Sequence, residues 1–130
     1  MENNLKSNEY NGLTLAYIGD AVYEIYIRNF IISLGYKKVN DIHKHVIEYT
    51  SALSQAKYMS LLLDKNILTD FELNLYKRGR NTHPSTTRRN VDLKIYLEAT
   101  GFEALIGALY IDNNISRLEE IISLITEGGL

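Results

Sequence analysis

Two acids stand out among the residues able to do chemistry. Asp20 lies in Leu15-Ala16-Tyr17-Ile18-Gly19-Asp20-Ala21-Val22-Tyr23-Glu24, and Glu103 in Thr100-Gly101-Phe102-Glu103-Ala104-Leu105-Ile106-Gly107-Ala108-Leu109-Tyr110. Each stretch has helical spacing, apolar character and small residues beside its acid. An ionised carboxylate drawn into such surroundings costs several kcal/mol unless positive charge offsets it, as an order of magnitude. Two such acids, far apart in the chain, are candidates to share a divalent cation. Hard oxygen ligands suit Mg²⁺ or Mn²⁺, with water and substrate phosphate filling the remaining positions. Such a cation lowers the pKa of bound water and stabilises charge developing on a phosphate. Spacing alone leaves a second reading open, in which both acids are solvated or salt-bridged residues of amphipathic helices.

The elements that must position these acids are helical. Asp20 shares a face with Ala16, Tyr17, Tyr23, Glu24 and Ile27, leaving the stripe of Ile18, Val22, Ile25 and Phe30 as the expected core side. Gly19 in mid-helix costs about 1 kcal/mol relative to alanine, so its presence points to a close approach beside Asp20. Glu103 is flanked by Gly101, Ala104, Gly107 and Ala108, and two helices crossing at such residues would bring the acids together. The spacing predicts helices over 14–34, closed by Gly35, and over 41–48, capped by Asn40. Further helices are expected over 51–63, from the capping box Thr69-Asp70-Phe71-Glu72 to about Arg78, over 91–112 with a closely packed or weak point at Gly101, and from Ser116 to just before Gly128. Residues 79–90, with Pro84 and several polar residues, read as a loop. No period-two run, repeat or domain boundary appears, so the expectation is one all-α domain over 1–130.

Composition narrows the chemistry further. The chain has no cysteine, which excludes disulfides, thiolate catalysis and cysteine-ligated metal. Its first residues lack a secretory pattern and no run is long and apolar enough to span a bilayer, so a soluble, cytoplasmic protein is expected. The net charge of −2 conceals a cationic stretch: Lys77, Arg78, Arg80, Arg88, Arg89 and Lys94 face a single acid, Asp92. With Asn81, His83, Ser85, Thr86 and Thr87 interspersed, this segment offers contacts to phosphates and ribose 2′-hydroxyls. The alternative is a solvated helix end and loop. His43, His45 and His83 have no metal-ligand spacing. The tyrosines at 17, 23, 26, 58, 96 and 110 follow helical faces, which favours packing over base stacking. No phosphate-cradling glycine loop or nucleophilic serine motif appears.

The stretch Tyr17-Ile18-Gly19-Asp20-Ala21-Val22 resembles the signature of the ribonuclease III family, and Phe102–Asp112 resembles that family's second acidic helix. The resemblance runs from about Leu13 to Leu124. Gly19–Glu24, Ser51-Ala52…Gln55-Ala56 and Lys77-Arg78-Gly79-Arg80-Asn81 bring it nearest the compact subgroup, Mini-ribonuclease III. The resemblance implies an all-helical, homodimeric, Mg²⁺-dependent endoribonuclease acting on double-stranded RNA, with Mn²⁺ as a substitute. It places Asp20 and Glu103 at the catalytic and metal-binding positions, and Lys77, Arg78, Arg80, Asn81, Arg88, Arg89 and Lys94 at the RNA. Its products would carry a 5′-phosphate and a 3′-hydroxyl. The implied substrate is the precursor of large-subunit ribosomal RNA, with a ribosomal protein as a possible assistant. Part of the first helix would form the two-fold contact.

The chain departs from the larger enzymes at Ala16 and Thr100, where they carry further acids, and from many compact ones at Leu53, where lysine is common. Glu24 is the nearest spare acid. It is expected to pair with Arg28 or another base, or to support the metal through water. Only 27 residues follow Glu103, too few for a separate double-stranded-RNA-binding domain, so grip on RNA is expected from the catalytic domain. The competing expectation is a catalytically silent module of the same fold that binds structured RNA or ribosomes.

Overall fold

The computed structural model describes residues 4–82 and 90–130, with the side chains of Asn90 and Val91 outside the description. Among the described residues there are six α-helices and no strand: α1 (Gly12–Ser33), α2 (Val39–Thr50), α3 (Ala52–Asp64), α4 (Asp70–Arg80), α5 (Asn90–Ile111) and α6 (Ile115–Thr126). A single 3-10 turn over Ser7–Glu9 precedes them.

Local chemistry sets most of the boundaries. Asn11 caps α1 by accepting from the Thr14 N–H at 2.9 Å, so the helix starts two residues before its expected first position. At its far end Gly35 adopts φ +107°, the left-handed conformation that glycine takes without a Cβ penalty. The capping box of α4 is complete, with Thr69 and Glu72 bonding each other's backbone N–H. Ser51 caps α3. The cap expected at Asn40 is replaced: α2 begins at Val39, Lys38 occupies the cap position without a side-chain bond, and the helix continues to Thr50.

Helix α5 runs through the centre. It buries Phe102 and every residue from Ala104 to Leu109, and packs against α1, α3, α4 and α6. A helix apolar on all sides is stable only when neighbours cover all of them. Tyr23 of α1 meets Phe102 edge to face, with ring centroids 5.0 Å apart. Around it the core includes Leu15, Ile27 and Ile31 of α1, Val46 of α2, Met59 and Leu62 of α3, Leu75 and Tyr76 of α4, and Leu118, Ile121 and Ile125 of α6.

The core side of α1 differs from expectation. Its buried positions are Leu15, Ala16, Gly19, Val22, Tyr23, Ile27 and Ile31, whereas Ile25 is 53% exposed and Ile18 and Phe30 are half-buried. Both stripes of this helix are apolar, and periodicity cannot choose between them. The choice is made by Gly19, which together with Gly107 lets α5 approach backbone to backbone. Tyr17 is likewise outside the packing expected of it, at 80% exposure.

No helix is long and apolar enough to cross a membrane among the described residues.

Candidate active site

Glycine builds the site. A Cβ at Gly19 would overlap the backbone carbonyl of Glu103 and lie 2.8 Å from the Gly107 nitrogen. A Cβ at Gly107 would overlap the Leu15 carbonyl and lie 2.8 Å from the Gly19 nitrogen. The two helices therefore touch through main chain at this crossing, and Asp20 and Glu103 emerge next to it. Their carboxyl groups are in hydrogen-bonding contact. A second pair of glycines repeats the device on the other side of α5, where Gly79 meets Thr100, Gly101 and Ala104, and Gly101 lies against the Tyr76 ring.

The electrostatics of the pair follow from this placement. Burial pushes the Glu103 carboxyl up, the negative charge of Asp20 adds to the push, and the pKa reaches about 8. Asp20 is exposed while Glu103 is half-buried, so the cost of burial falls on the glutamate. Gln55 opposes the shift: its Nε2 stands 3.4 Å from Glu103 Oε2 and also donates to the Thr50 carbonyl at 3.1 Å. Gln55 is 3% exposed and sits on the buried stripe of α3 with Met59 and Leu62. In the sequence Gln55 stands out only as part of Ser51-Ala52…Gln55-Ala56. A polar residue on an otherwise apolar stripe was the available signal that it faces something polar.

The neighbouring positions are resolved too. Ala16 is buried, and Thr100 spends its hydroxyl on the Tyr96 carbonyl at 2.8 Å, so neither adds a ligand. Glu24 bonds Arg28 along its own helix at 3.0 Å, the structural pairing expected of it. No cluster of three or more His, Cys, Asp or Glu able to hold a metal occurs among the described residues. The donor set nonetheless fits a hard divalent cation. Two carboxylates in contact, one holding a proton near neutral pH for want of positive charge, offer oxygen ligands whose repulsion a cation relieves better than a proton.

The residues of the cationic stretch fare differently. Arg80, Asn81 and Lys94 line a groove with Leu93, Leu97 and Glu98, and Arg80 and Lys94 continue into a larger recess of about 610 Å³. That recess is also lined by Lys57 and Ser60 of α3, which carry no motif in the sequence. Lys77 is exposed at the end of α4. Arg78 is committed otherwise: its guanidinium donates to the carbonyls of Ser7 and Tyr10, tying the amino-terminal segment to α4. That segment is held a second time by Asp112, which accepts from the Ser7 N–H and hydroxyl at 2.8 and 2.6 Å. His83, Arg88 and Arg89 lie outside the described residues. The His45 ring lies against Tyr36, with centroids 4.2 Å apart and planes tilted by 32°.

The ribonuclease III domain pattern matches residues 13–114, which include both acids and the crossing between them. Mini-ribonuclease 3 of Enterococcus faecalis is 47% identical over 115 residues, covering 88% of this chain and 87% of the relative. Mini-ribonuclease 3 of Streptococcus pneumoniae is 44% identical, covering 89% and 91%. A crystal structure of a Fusobacterium nucleatum protein superposes with a TM-score of 0.81 at 31% identity, over 94% of this chain and 96% of that one. Glycine-enforced crossing, paired carboxylates, helical architecture and relatives matched along most of their length converge: the chain belongs to the ribonuclease III family.

Proposed function

We propose that this protein is a Mg²⁺-dependent endoribonuclease that cleaves double-stranded RNA, with residues 1–130 acting as one catalytic domain. The observation that carries the reading is the contact between Asp20 and Glu103 beside the Gly19–Gly107 crossing. In this reading the two acids hold the metal, and Mn²⁺ can replace Mg²⁺. Held by Asp20 and Glu103, a divalent cation would supply a water of lowered pKa and positive charge beside the scissile phosphate, and the products of this reading carry a 5′-phosphate and a 3′-hydroxyl.

The chain's own residues supply position and selectivity. Asp20, exposed at the helix edge, faces solvent and substrate, and Glu103 anchors the site from its half-buried place on α5. Arg80, Asn81 and Lys94, with Lys77, Arg88 and Arg89, contact the phosphate backbone and 2′-hydroxyls of the duplex, a recognition by shape more than by sequence. Arg78, tied to the Ser7 and Tyr10 carbonyls, serves this set only by bracing the end of α4 that carries Lys77 and Arg80. Two strands require two sites, and a homodimer provides them. Ile18, Ala21, Ile25 and Tyr110 line an apolar surface groove of about 300 Å³ on α1 and α5 and suit the two-fold contact. The substrate is the precursor of large-subunit ribosomal RNA, with a ribosomal protein as an assisting partner.

Incubating the purified protein with long double-stranded RNA, with Mg²⁺ or with chelator, tests this function. Metal-dependent cutting abolished by Asp20→Asn and by Glu103→Gln is the expected result. Tight binding of RNA without cutting in either Mg²⁺ or Mn²⁺ would instead make the protein a silent RNA-binding module.

A further inference from the structure

The amide of Gln55 is buried on an otherwise apolar stripe of α3, and its bond to the end of α2 uses only one of its two N–H groups. Both of its N–H groups are directed. One meets the Thr50 carbonyl at 3.1 Å, the last residue of α2, and the other approaches Glu103 Oε2 at 3.4 Å. The first contact fixes the amide's orientation, because turning it over would set its oxygen against the Thr50 oxygen. Glu103 therefore faces a donor and not an acceptor. A carboxylate whose remaining partner is another acid, Asp20, has in Gln55 its one neutral anchor among the described contacts.

We infer that Gln55 is a positioning residue for the metal site: by holding Glu103 Oε2 it sets the rotamer of Glu103 and leaves the other oxygen to engage a divalent cation beside Asp20. The inference rests on the proposal that Asp20 and Glu103 bind metal. The tie to Thr50 makes the anchor rigid, since Gln55 cannot follow Glu103 without giving up the end of α2. Outer hydrogen bonds of this kind hold ligands in register, and their loss weakens metal binding by about 10- to 100-fold in other metal sites.

The test compares Gln55→Met, close in volume but without donors, with Ser54→Ala. The latter loosens the same α2–α3 junction by removing the Ser54 bond to the Glu48 carbonyl at 2.7 Å, without touching Glu103. Mn²⁺ binding to the RNA-free protein is measured by calorimetry, and duplex RNA binding in chelator by gel shift. Gln55→Met is expected to weaken Mn²⁺ binding about tenfold or more with RNA affinity unchanged, while Ser54→Ala leaves Mn²⁺ binding as it was. Equal Mn²⁺ losses in both variants, or none in Gln55→Met, overturn the inference.

Should Gln55→Met fail to fold, the wild-type protein decides. The Gln55 side-chain amide resonances should shift on Mg²⁺ addition and stop shifting in Glu103→Gln, and unmoved resonances in the wild type overturn the inference. Loss of Mn²⁺ binding in Glu103→Gln with no effect of Gln55→Met removes the positioning role alone. Unchanged Mn²⁺ binding in both Asp20→Asn and Glu103→Gln removes the metal site itself.

Discussion

Gly19 and Gly107 lie so close that a Cβ on either would stand 2.8 Å from the other's backbone nitrogen. Main chain meets main chain here, and the two acids of the site are carried one residue from Gly19 and one helical turn before Gly107. The acids need not reach for each other, because the crossing delivers them.

Gly19→Ala is accordingly expected to destabilise the protein, although alanine is favoured over glycine in a helix by about 1 kcal/mol. The added methyl would overlap the Glu103 carbonyl, and backbone cannot rotate away as a side chain can. A net loss of about 1–3 kcal/mol is expected, the usual cost of overpacking, together with loss of RNA cleavage at temperatures where the variant remains folded. Thermal denaturation and a cleavage assay on the same preparation check both. A stabilised, active Gly19→Ala protein would contradict the crossing.

Removing either acid should act on catalysis far more than on folding. Asp20→Asn and Glu103→Gln are each expected to lower kcat on duplex RNA by on the order of 10³-fold, equivalent to roughly 4 kcal/mol of transition-state stabilisation. Glu103→Gln should also raise the melting temperature of the metal-free protein above pH 4.5, since a neutral amide bears no cost of holding a proton or of ionising in a half-buried place. Single-turnover kinetics and calorimetry separate the two effects.

The same pair predicts a pH dependence. Burial and the charge of Asp20 hold Glu103 at about 8, against an ordinary 4.5. The folded protein thus keeps a proton that the unfolded chain releases, and stability of the metal-free form falls as pH rises from 4.5 to 8, levelling off above that. Mg²⁺ competes with the proton, so it should raise the melting temperature more at pH 8 than at pH 5. Melting curves with and without Mg²⁺ at both values check this, and Glu103→Gln should flatten the pH response.

Away from the site, Arg117 is expected to be costly to lose. It bonds both oxygens of Glu72, at 2.8 and 2.9 Å, and the Ile67 carbonyl at 2.7 Å. Glu72 is buried, so Arg117→Met leaves an uncompensated charge, for which about 3–5 kcal/mol of destabilisation is typical. Urea denaturation measures the loss. Arg117→Met combined with Glu72→Gln should recover part of it.

The cationic stretch is checked by salt. Replacing Arg88 and Arg89 by alanine should weaken duplex RNA binding and reduce the slope of log affinity against log salt by roughly 1–2, about one per phosphate contact. Binding isotherms of the Asp20→Asn protein at several salt concentrations avoid cleavage during the measurement. An unchanged slope would remove these arginines from the interface.

Much of this molecule was legible in its residues. Helical periodicity, the Thr69–Glu72 capping box, Ser51 and Gly35 located most elements, because caps and left-handed turns are settled within a few residues of chain. Small residues beside Asp20 and Glu103 foretold a crossing of two helices, since only a close neighbour justifies glycine in mid-helix. Other features were settled by the assembled fold. Which apolar stripe of α1 turns inward depends on α5 seating against Gly19, so Ile25 faces out where the pattern alone had it facing in. Arg78 reads as one more cation until the carbonyls of Ser7 and Tyr10 arrive beside it. Gln55 acquires its role only when α2, α3 and α5 converge. Local signals write helices because their bonds close within four residues, whereas the contacts that tune a site join residues dozens of positions apart, and only packing selects them.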